Sequence, residues 1–223
     1  EIRKAGQEFD KMRKRIIRHL NQRSEMLSGI SHDLRTPLTR IKLQLAMIKD
    51  KNLSKKLSSD VDDMEKMLNE YLQFASTGAK DKTETFDISE LILKLINNYN
   101  NPNIIQNFKE EIYFNGRKNL IARCINNLIE NSLKYAKKVE ISMEKQKDNL
   151  MIMVSDDGPG VPEKEHENII KPFYKIDKSR SESKSSVGLG LSIASDICRS
   201  HGGDIKFSKS KFGGLEVSIS LPF

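Results

Sequence analysis

The sequence predicts an α+β chain in two parts. A long helical hairpin, paired with a second copy as a four-helix bundle, is followed by an α/β sandwich. Three observations carry this. Apolar residues recur at three- and four-residue steps from Phe9 to Leu72, the mark of helices with one buried stripe each. A small, polar, Gly-containing stretch, STGAKDK from Ser76 to Lys82, then breaks the pattern as a hinge or linker would. Beyond it, short alternating runs are interleaved with helical ones, the element order of a mixed sandwich.

In order along the chain, Phe9, Met12, Ile16 and Leu20 lead at helical spacing into Leu27, Ile30, Leu34, Leu38, Ile41, Leu45 and Ile48. One helix is expected from near residue 8 to about Lys49. At about 100° per residue, His32 falls nearly opposite the stripe. Thr36 lies one turn further along the exposed face, and Asp33 and Arg35 flank the imidazole. Pro37 is expected to interrupt this helix, since it cannot donate to the Asp33 carbonyl and costs ~3 kcal/mol in a helix interior. A polar break from Asp50 to Leu53 precedes Ser54, an expected N-cap. Leu57, Val61, Met64, Leu68 and Leu72 then form a second stripe, and Met67, Tyr71 and Phe74 add apolar surface. Such a hairpin buries too little alone, so two chains are expected to pair. In the alternative, a monomer, both stripes pack on the C-terminal part.

In the second part, strands are expected at Thr83 to Asp87 and Glu111 to Phe114, with a short helix from Ser89 to Tyr99 between them. Lys118 to Ala136 reads as helix, and Val139 to Lys145 and Leu150 to Ser155 as paired strands. Gly188 to His201 reads as helix, with Ile205 to Ser208 and Leu215 to Leu221 as closing strands.

Composition narrows the function. The chain has 223 residues, 37% hydrophobic and 31% charged, which suits solvent-washed helices joined to a smaller globular unit. Its formal charge of +7 permits nucleic-acid or anionic-membrane contact. Yet Lys and Arg are scattered among comparable acidic residues and Trp is absent, so a solvated surface is expected and no nucleic-acid partner. Cys124 and Cys198 lack a CxxC partner and read as core thiols. The four histidines show no metal-ligand spacing. No apolar run approaches the ~20 residues of a membrane span. The start at Glu1 rather than methionine reads as an excised fragment.

Three blocks hold candidate chemistry. Asn127, Asn131 and Lys134 fall at i, i+4 and i+7, beside the stripe of Ile121, Ile125, Leu128 and Ile129. Amide oxygens are hard ligands suited to Mg²⁺, and a lysine supplies a point charge to phosphate. Asp156 to Gly160, DDGPG, follows the strand-like MIMVS. A carboxylate there can accept from an adenine amino group while glycines let the backbone close on the base; alone, it is an ordinary Asp-Gly turn. In VGLGLSIA, Gly188 and Gly190 open a helix whose free N–H groups can hold phosphate. Between Phe173 and Gly188, Ser, Lys and Glu dominate, as in a mobile lid.

SHDLRTPLTR, from Ser31 to Arg40, resembles over its whole length the phosphoacceptor box of sensor histidine kinases, most closely the osmolarity-sensor type. The resemblance implies that His32 is phosphorylated and that Asp33 orients or deprotonates it. It implies also that Thr36 positions the water that later dephosphorylates the partner. A neutral imidazole beside a carboxylate suits nucleophilic chemistry near pH 7. NNLIENSLKY, DDGPG, KPFYKID and VGLGLSIA resemble, in order and spacing, the blocks of the histidine kinase ATP-binding domain, and the likeness covers nearly the whole chain. It implies the sandwich shared with gyrase-type ATPases and heat-shock chaperones, with ATP and Mg²⁺ as cofactors. Asn131 would bind Mg²⁺, Asn127 and Lys134 the phosphates, Tyr135 the adenine or ribose, and Asp156 the adenine amino group, with Gly158 and Gly160 shaping the pocket. Lys175 and Arg180 match basic lid positions, while Ser186 and Val187 depart from the usual glycine and threonine.

The same resemblance divides the chain into the end of a membrane-proximal signalling helix at 1–13, a dimerisation and phosphotransfer hairpin at 14–77 and a catalytic domain at 83–223. It implies a homodimer, a response-regulator receiver domain as partner, and a cytoplasmic fragment of a plasma-membrane receptor. A simple ATPase of the gyrase type is the rival enzyme, but such enzymes place a water-activating glutamate where this chain has Asn127. A basic scaffold for DNA or membrane is the non-enzymatic rival, and it leaves the nucleotide blocks unexplained.

Overall fold

The computed structural model describes residues 2–48, 50–75, 81–176 and 187–223; several side chains of the first two helices, that of His32 among them, lie outside the described part. The chain divides into two units, Glu1–Lys80 and Asp81–Phe223. Most of the expected linker, residues 76–80, lies outside the described residues.

The first unit is a hairpin of α1 (Ile2–Ala46) and α2 (Lys51–Ala75). Contrary to the expected interruption, α1 runs through Pro37. The ring removes one donor, at the Asp33 carbonyl, but the flanking turns hold; Thr39 Oγ1 donates to the Arg35 carbonyl at 2.9 Å. The start of α2 also differs from expectation. Asp50 Oδ1 accepts from the N–H groups of Asn52 and Leu53 at 3.0 and 3.1 Å, so Asp50 supplies the cap. Ser54, inside the helix, instead donates Oγ to the Leu45 carbonyl at 2.7 Å, tying the second helix back to the first. Leu45 and Val61 are buried between the helices, and Lys42 pairs with Asp62 and Glu65 at 2.7 and 2.5 Å. Ile30, Leu34 and Ile41 remain 37%, 44% and 40% exposed, as does much of Met64, Met67 and Tyr71, so one hairpin leaves part of its apolar surface uncovered.

The second unit is built on a five-stranded sheet of order β2-β4-β5-β7-β6. Its strands are β2 (Ile104–Asn107), β4 (Val139–Gln146), β5 (Asn149–Asp156), β6 (Asp204–Lys209) and β7 (Leu215–Pro222). Pairing is antiparallel except between β2 and β4. Alternate residues point to one buried face: Ile141 opposite Val154, and Ile152 opposite Ile219, have no exposed surface. The helices α3 (Ile88–Tyr99), α4 (Lys118–Tyr135) and α5 (Gly190–Ser200) belong to the same unit. Contacts of α4 with β4 and β5, and of α5 with β6 and β7, cover the sheet. Ile121, Ile125, Leu128 and Ile129 of α4 and Ile197 of α5 are buried there. A two-stranded ribbon, β1 (Glu84–Asp87) with β3 (Tyr113–Gly116), completes the unit.

Two features differ from expectation. The strand placed at Glu111 to Phe114 forms two residues later, because Ile112 is used otherwise: its N–H donates to Ser89 Oγ at 3.0 Å and its carbonyl accepts from Ile88 N. The edge strand β2 is not marked by the sequence pattern. Only Ile104 of its four residues is buried, so it carries no alternation to read.

Candidate nucleotide site and phosphoacceptor helix

The sequence blocks of the second unit line the C-terminal half of α4, from Asn127 to Tyr135. Asp156, the last residue of β5, is buried, and its Oδ1 accepts from the N–H groups of Gly158 and Leu215 at 2.9 and 3.0 Å. The neighbouring Asp157 Oδ1 accepts from Lys137 N and Lys138 N, both at 2.8 Å. These backbone donors, Lys138 first and then Lys137, hold its carboxyl below the ordinary range. The turn is thereby fastened to the C-terminal end of α4. A Cβ at Gly158 would lie 3.3 Å from the Tyr135 carbonyl oxygen and 3.0 Å from Asp156 Oδ1. Gly160 packs by the Gly214 carbonyl with φ +72°, a conformation that side chains rarely adopt, while at Gly158 the close approach itself leaves little room for a Cβ.

Further back along α4, Asn127 donates Nδ2 to the Arg123 carbonyl at 2.9 Å. Its Oδ1 faces α5: a Cβ on Gly190 would lie 3.4 Å away. The N-cap of α5, Leu189, makes no side-chain cap bond, and among the described residues no side chain is recorded on its first-turn N–H groups beside Asn127. The helix begins at Gly190 rather than Gly188. Gly188 instead takes φ +80° in the preceding bend, where a Cβ would meet the Tyr174 carbonyl at 2.9 Å. Asn131 is half-buried one turn beyond Asn127, and the Lys134 ammonium stands 5.0 Å from the centre of the half-exposed Tyr135 ring.

The segment expected as a lid is pinned at both described ends. Phe173 N donates to the Gly188 carbonyl at 3.0 Å. Tyr174 Oη donates to Glu165 Oε2 at 2.5 Å, and Asn168 Nδ2 donates to the same oxygen at 3.1 Å. These donors, Tyr174 first, hold the Glu165 carboxyl below its ordinary range. Lys175 is exposed and Val187 half-buried, while Arg180 and Ser186 lie outside the described residues.

On α1, the backbone of His32 is helical, and Asp33 and Thr36 are exposed. The structure therefore gathers Asn127, Asn131, Lys134, Tyr135, Asp156, Gly158, Gly160, Gly188 and Gly190 within one unit, and leaves His32, Asp33 and Thr36 in the other. Asp157, Gly214 and Arg123, which also belong to this region, are not singled out by the motifs above. The first two had signals, a doubled aspartate before Gly-Pro-Gly and a Gly-Gly pair opening a strand. Both cysteines are buried and free, with burial raising each thiol, Cys198 to about 11, as inert core groups should be. No described helix is long and apolar enough to cross a membrane.

Two family descriptions match the chain: "His Kinase A (phospho-acceptor) domain" at residues 22–80, and "Histidine kinase-, DNA gyrase B-, and HSP90-like ATPase" at 116–223. The sensor histidine kinase GtrS of Pseudomonas aeruginosa is 34% identical over 226 residues, spanning 100% of this chain and 46% of that protein. The sensor histidine kinase CpxA of Escherichia coli K12 is 30% identical over 236 residues, spanning 100% of this chain and 52% of that protein. The chain thus spans about half the length of the curated relatives it matches. Among solved structures, full-length ShkA in complex with AMPPNP has a TM-score of 0.71 at 21% identity, with 90% of this chain and 46% of that chain covered. The ATP-binding domain of PrrB from Mycobacterium tuberculosis has a TM-score of 0.54 at 22% identity, with 64% of this chain and 98% of that chain covered. These structural likenesses show the fold.

Proposed function

From the premise that this chain belongs to the sensor histidine kinase family and carries its phosphoacceptor and ATPase domains, we propose that it phosphorylates His32 from ATP and passes the phosphoryl group to an aspartate of a response-regulator receiver domain. The observation that carries the nucleotide half is Asn127 lying against Gly190 at the uncapped start of α5. That contact brings together two blocks far apart in sequence, which supports reading them as one phosphate site. At the other end, Asp156 spends Oδ1 on two backbone N–H groups and keeps Oδ2 for an adenine amino group. Tyr135 flanks the base or ribose, Lys134 and Asn127 face the phosphates, Gly158 and Gly160 shape the pocket, and Lys175 and Arg180 belong to the lid that closes on it.

The donor set fits magnesium. Asn127 commits its amide nitrogen to Arg123, which presents the oxygen, and Asn131 offers a second hard donor. Asn131 is the assigned ligand, and bound Mg²⁺ would neutralise phosphate charge during transfer. In the transfer itself, an imidazole nitrogen of His32 attacks the γ-phosphorus, the bond to the leaving ADP oxygen breaks, and Asp33 takes the imidazole proton. Thr36, one turn along α1, orients the water that hydrolyses the regulator's aspartyl phosphate, releasing inorganic phosphate and the free carboxylate.

Uncovered Ile30, Leu34 and Ile41 support a homodimer in which two hairpins form a four-helix bundle. The assigned extents are 1–13 for the end of the signalling helix, 14–77 for the phosphotransfer hairpin and 83–223 for the catalytic domain. The phosphoacceptor box supports an osmolarity-sensor subtype. The greater length of the relatives supports a parent membrane receptor whose cytoplasmic portion this is. The test is incubation with labelled MgATP. The chain should acquire acid-labile, alkali-stable phosphate, and His32→Gln should abolish it without changing ATP affinity. Wild-type labelling in that variant would remove His32 from the mechanism.

A further inference from the structure

Arg123 lies on α4 one turn before Asn127. Its Nε and Nη2 are sealed from solvent and have no hydrogen-bond partner. No ion pair to it exists among the described residues. Burial alone lowers its pKa, with no carboxylate acting in opposition. A partly desolvated cation whose Nε and Nη2 lack partners is costly, and a guanidinium is the group best shaped to take an anion in two parallel bonds. Such a guanidinium calls for an anion.

The order of groups along α4 supplies it. The Asp156 turn meets the helix at Tyr135, Asn131 follows, then Asn127 beside Gly190, and then Arg123, whose carbonyl holds the Asn127 side chain. At a rise of about 1.5 Å per residue, Arg123 stands about 12 Å along the axis from Asn131 and about 6 Å from Asn127. A nucleotide with its base at Asp156 and its phosphates at the start of α5 runs toward Arg123. In that order the terminal phosphate is the part nearest Arg123.

We propose that Arg123 is a further nucleotide-binding residue, pairing with the terminal phosphate of ATP and making the site prefer ATP over ADP. This rests on the ATP-binding reading above. The test is calorimetric titration of MgATP and MgADP into the chain and its Arg123→Met and Arg123→Lys variants. Arg123→Met should weaken ATP binding about tenfold while ADP affinity changes by less than about twofold, and Arg123→Lys should retain part of the preference. Unchanged affinities in Arg123→Met, or parallel loss for both nucleotides in both variants, would overturn the assignment. Wild-type chain that binds neither nucleotide would instead overturn the ATP-binding reading itself.

Discussion

Asp156 and Leu215, 59 positions apart, are joined by a hydrogen bond of 3.0 Å from the Leu215 N–H to Asp156 Oδ1. The same oxygen takes the Gly158 N–H, so one buried carboxylate both closes its own turn and fastens it to the start of β7.

Substitutions at Asp156 should separate these roles. Asp156→Asn keeps an acceptor for both N–H groups but puts a donor at the adenine edge, so ATP affinity falls while the melting temperature changes little. Asp156→Ala orphans two buried donors at about 1–3 kcal/mol each, so it should lose both. Calorimetry and thermal melts check this; unchanged ATP affinity in Asp156→Asn would contradict the assignment.

Gly214→Ala should damage the same site from the other side. A Cβ there would collide with Asp156 Oδ1 and lie 2.5 Å from the Asp156 carbonyl oxygen and the Gly158 nitrogen. Since the obstacle is backbone, the turn must shift, at about 1–3 kcal/mol. A lowered melting temperature with weakened ATP binding is expected. Gly213→Ala, with φ +98° but open space around it, should cost strain alone and spare the affinity ratio between nucleotides.

Thr36→Ala should retain autophosphorylation and lose dephosphorylation of the phosphorylated regulator. Thr36 is exposed on α1 one turn from His32, so its hydroxyl can orient water without taking part in transfer from ATP. The decay of phospho-regulator with each protein decides it, and equal rates would exclude the role.

Stability should depend on pH through His201. The Arg117 N–H donates to His201 Nε2 at 3.2 Å, which leaves the proton on Nδ1, 2.8 Å from the Ile197 carbonyl. Desolvation foremost, aided by the Arg117 charge, lowers the pKa against the Ile197 bond. The folded state thus prefers the neutral ring. Its contribution is complete above the unfolded value of about 6.5 and is lost as pH falls through that value toward the folded one. Melts between pH 7.5 and 5.5 should show the midpoint falling on acidification, with a flatter slope in His201→Phe. Identical slopes would rule His201 out as the cause.

Much of this architecture was legible because periodicity reports burial. The stripe from Ile121 to Ile129 and the alternation of β4, β5 and β7 face a single core, so local pattern and tertiary fate agree. Where a residue's partner is remote, the pattern misleads. Ser54 has the chemistry of a cap, but Asp50 outcompetes it and Ser54 bonds across the hairpin to Leu45. Pro37 signals a break that the continuing turns of α1 absorb, and β2 is a strand only because β4 lies beside it.

The linear sequence alone settled which residue types stand at which spacing: His32 with Asp33 and Thr36, the asparagine strip, the glycine turns. Those are properties of neighbours along the chain, and helical or strand geometry converts them directly into faces. Folding decided what those faces meet. Only tertiary structure sets Gly190 against Asn127, Leu215 against Asp156, and Arg123 with Nε and Nη2 buried and no ion pair among the described residues. These contacts span elements whose approach depends on the packing of the whole sandwich, and desolvation, which gives Arg123 its meaning, does not exist until that packing excludes water.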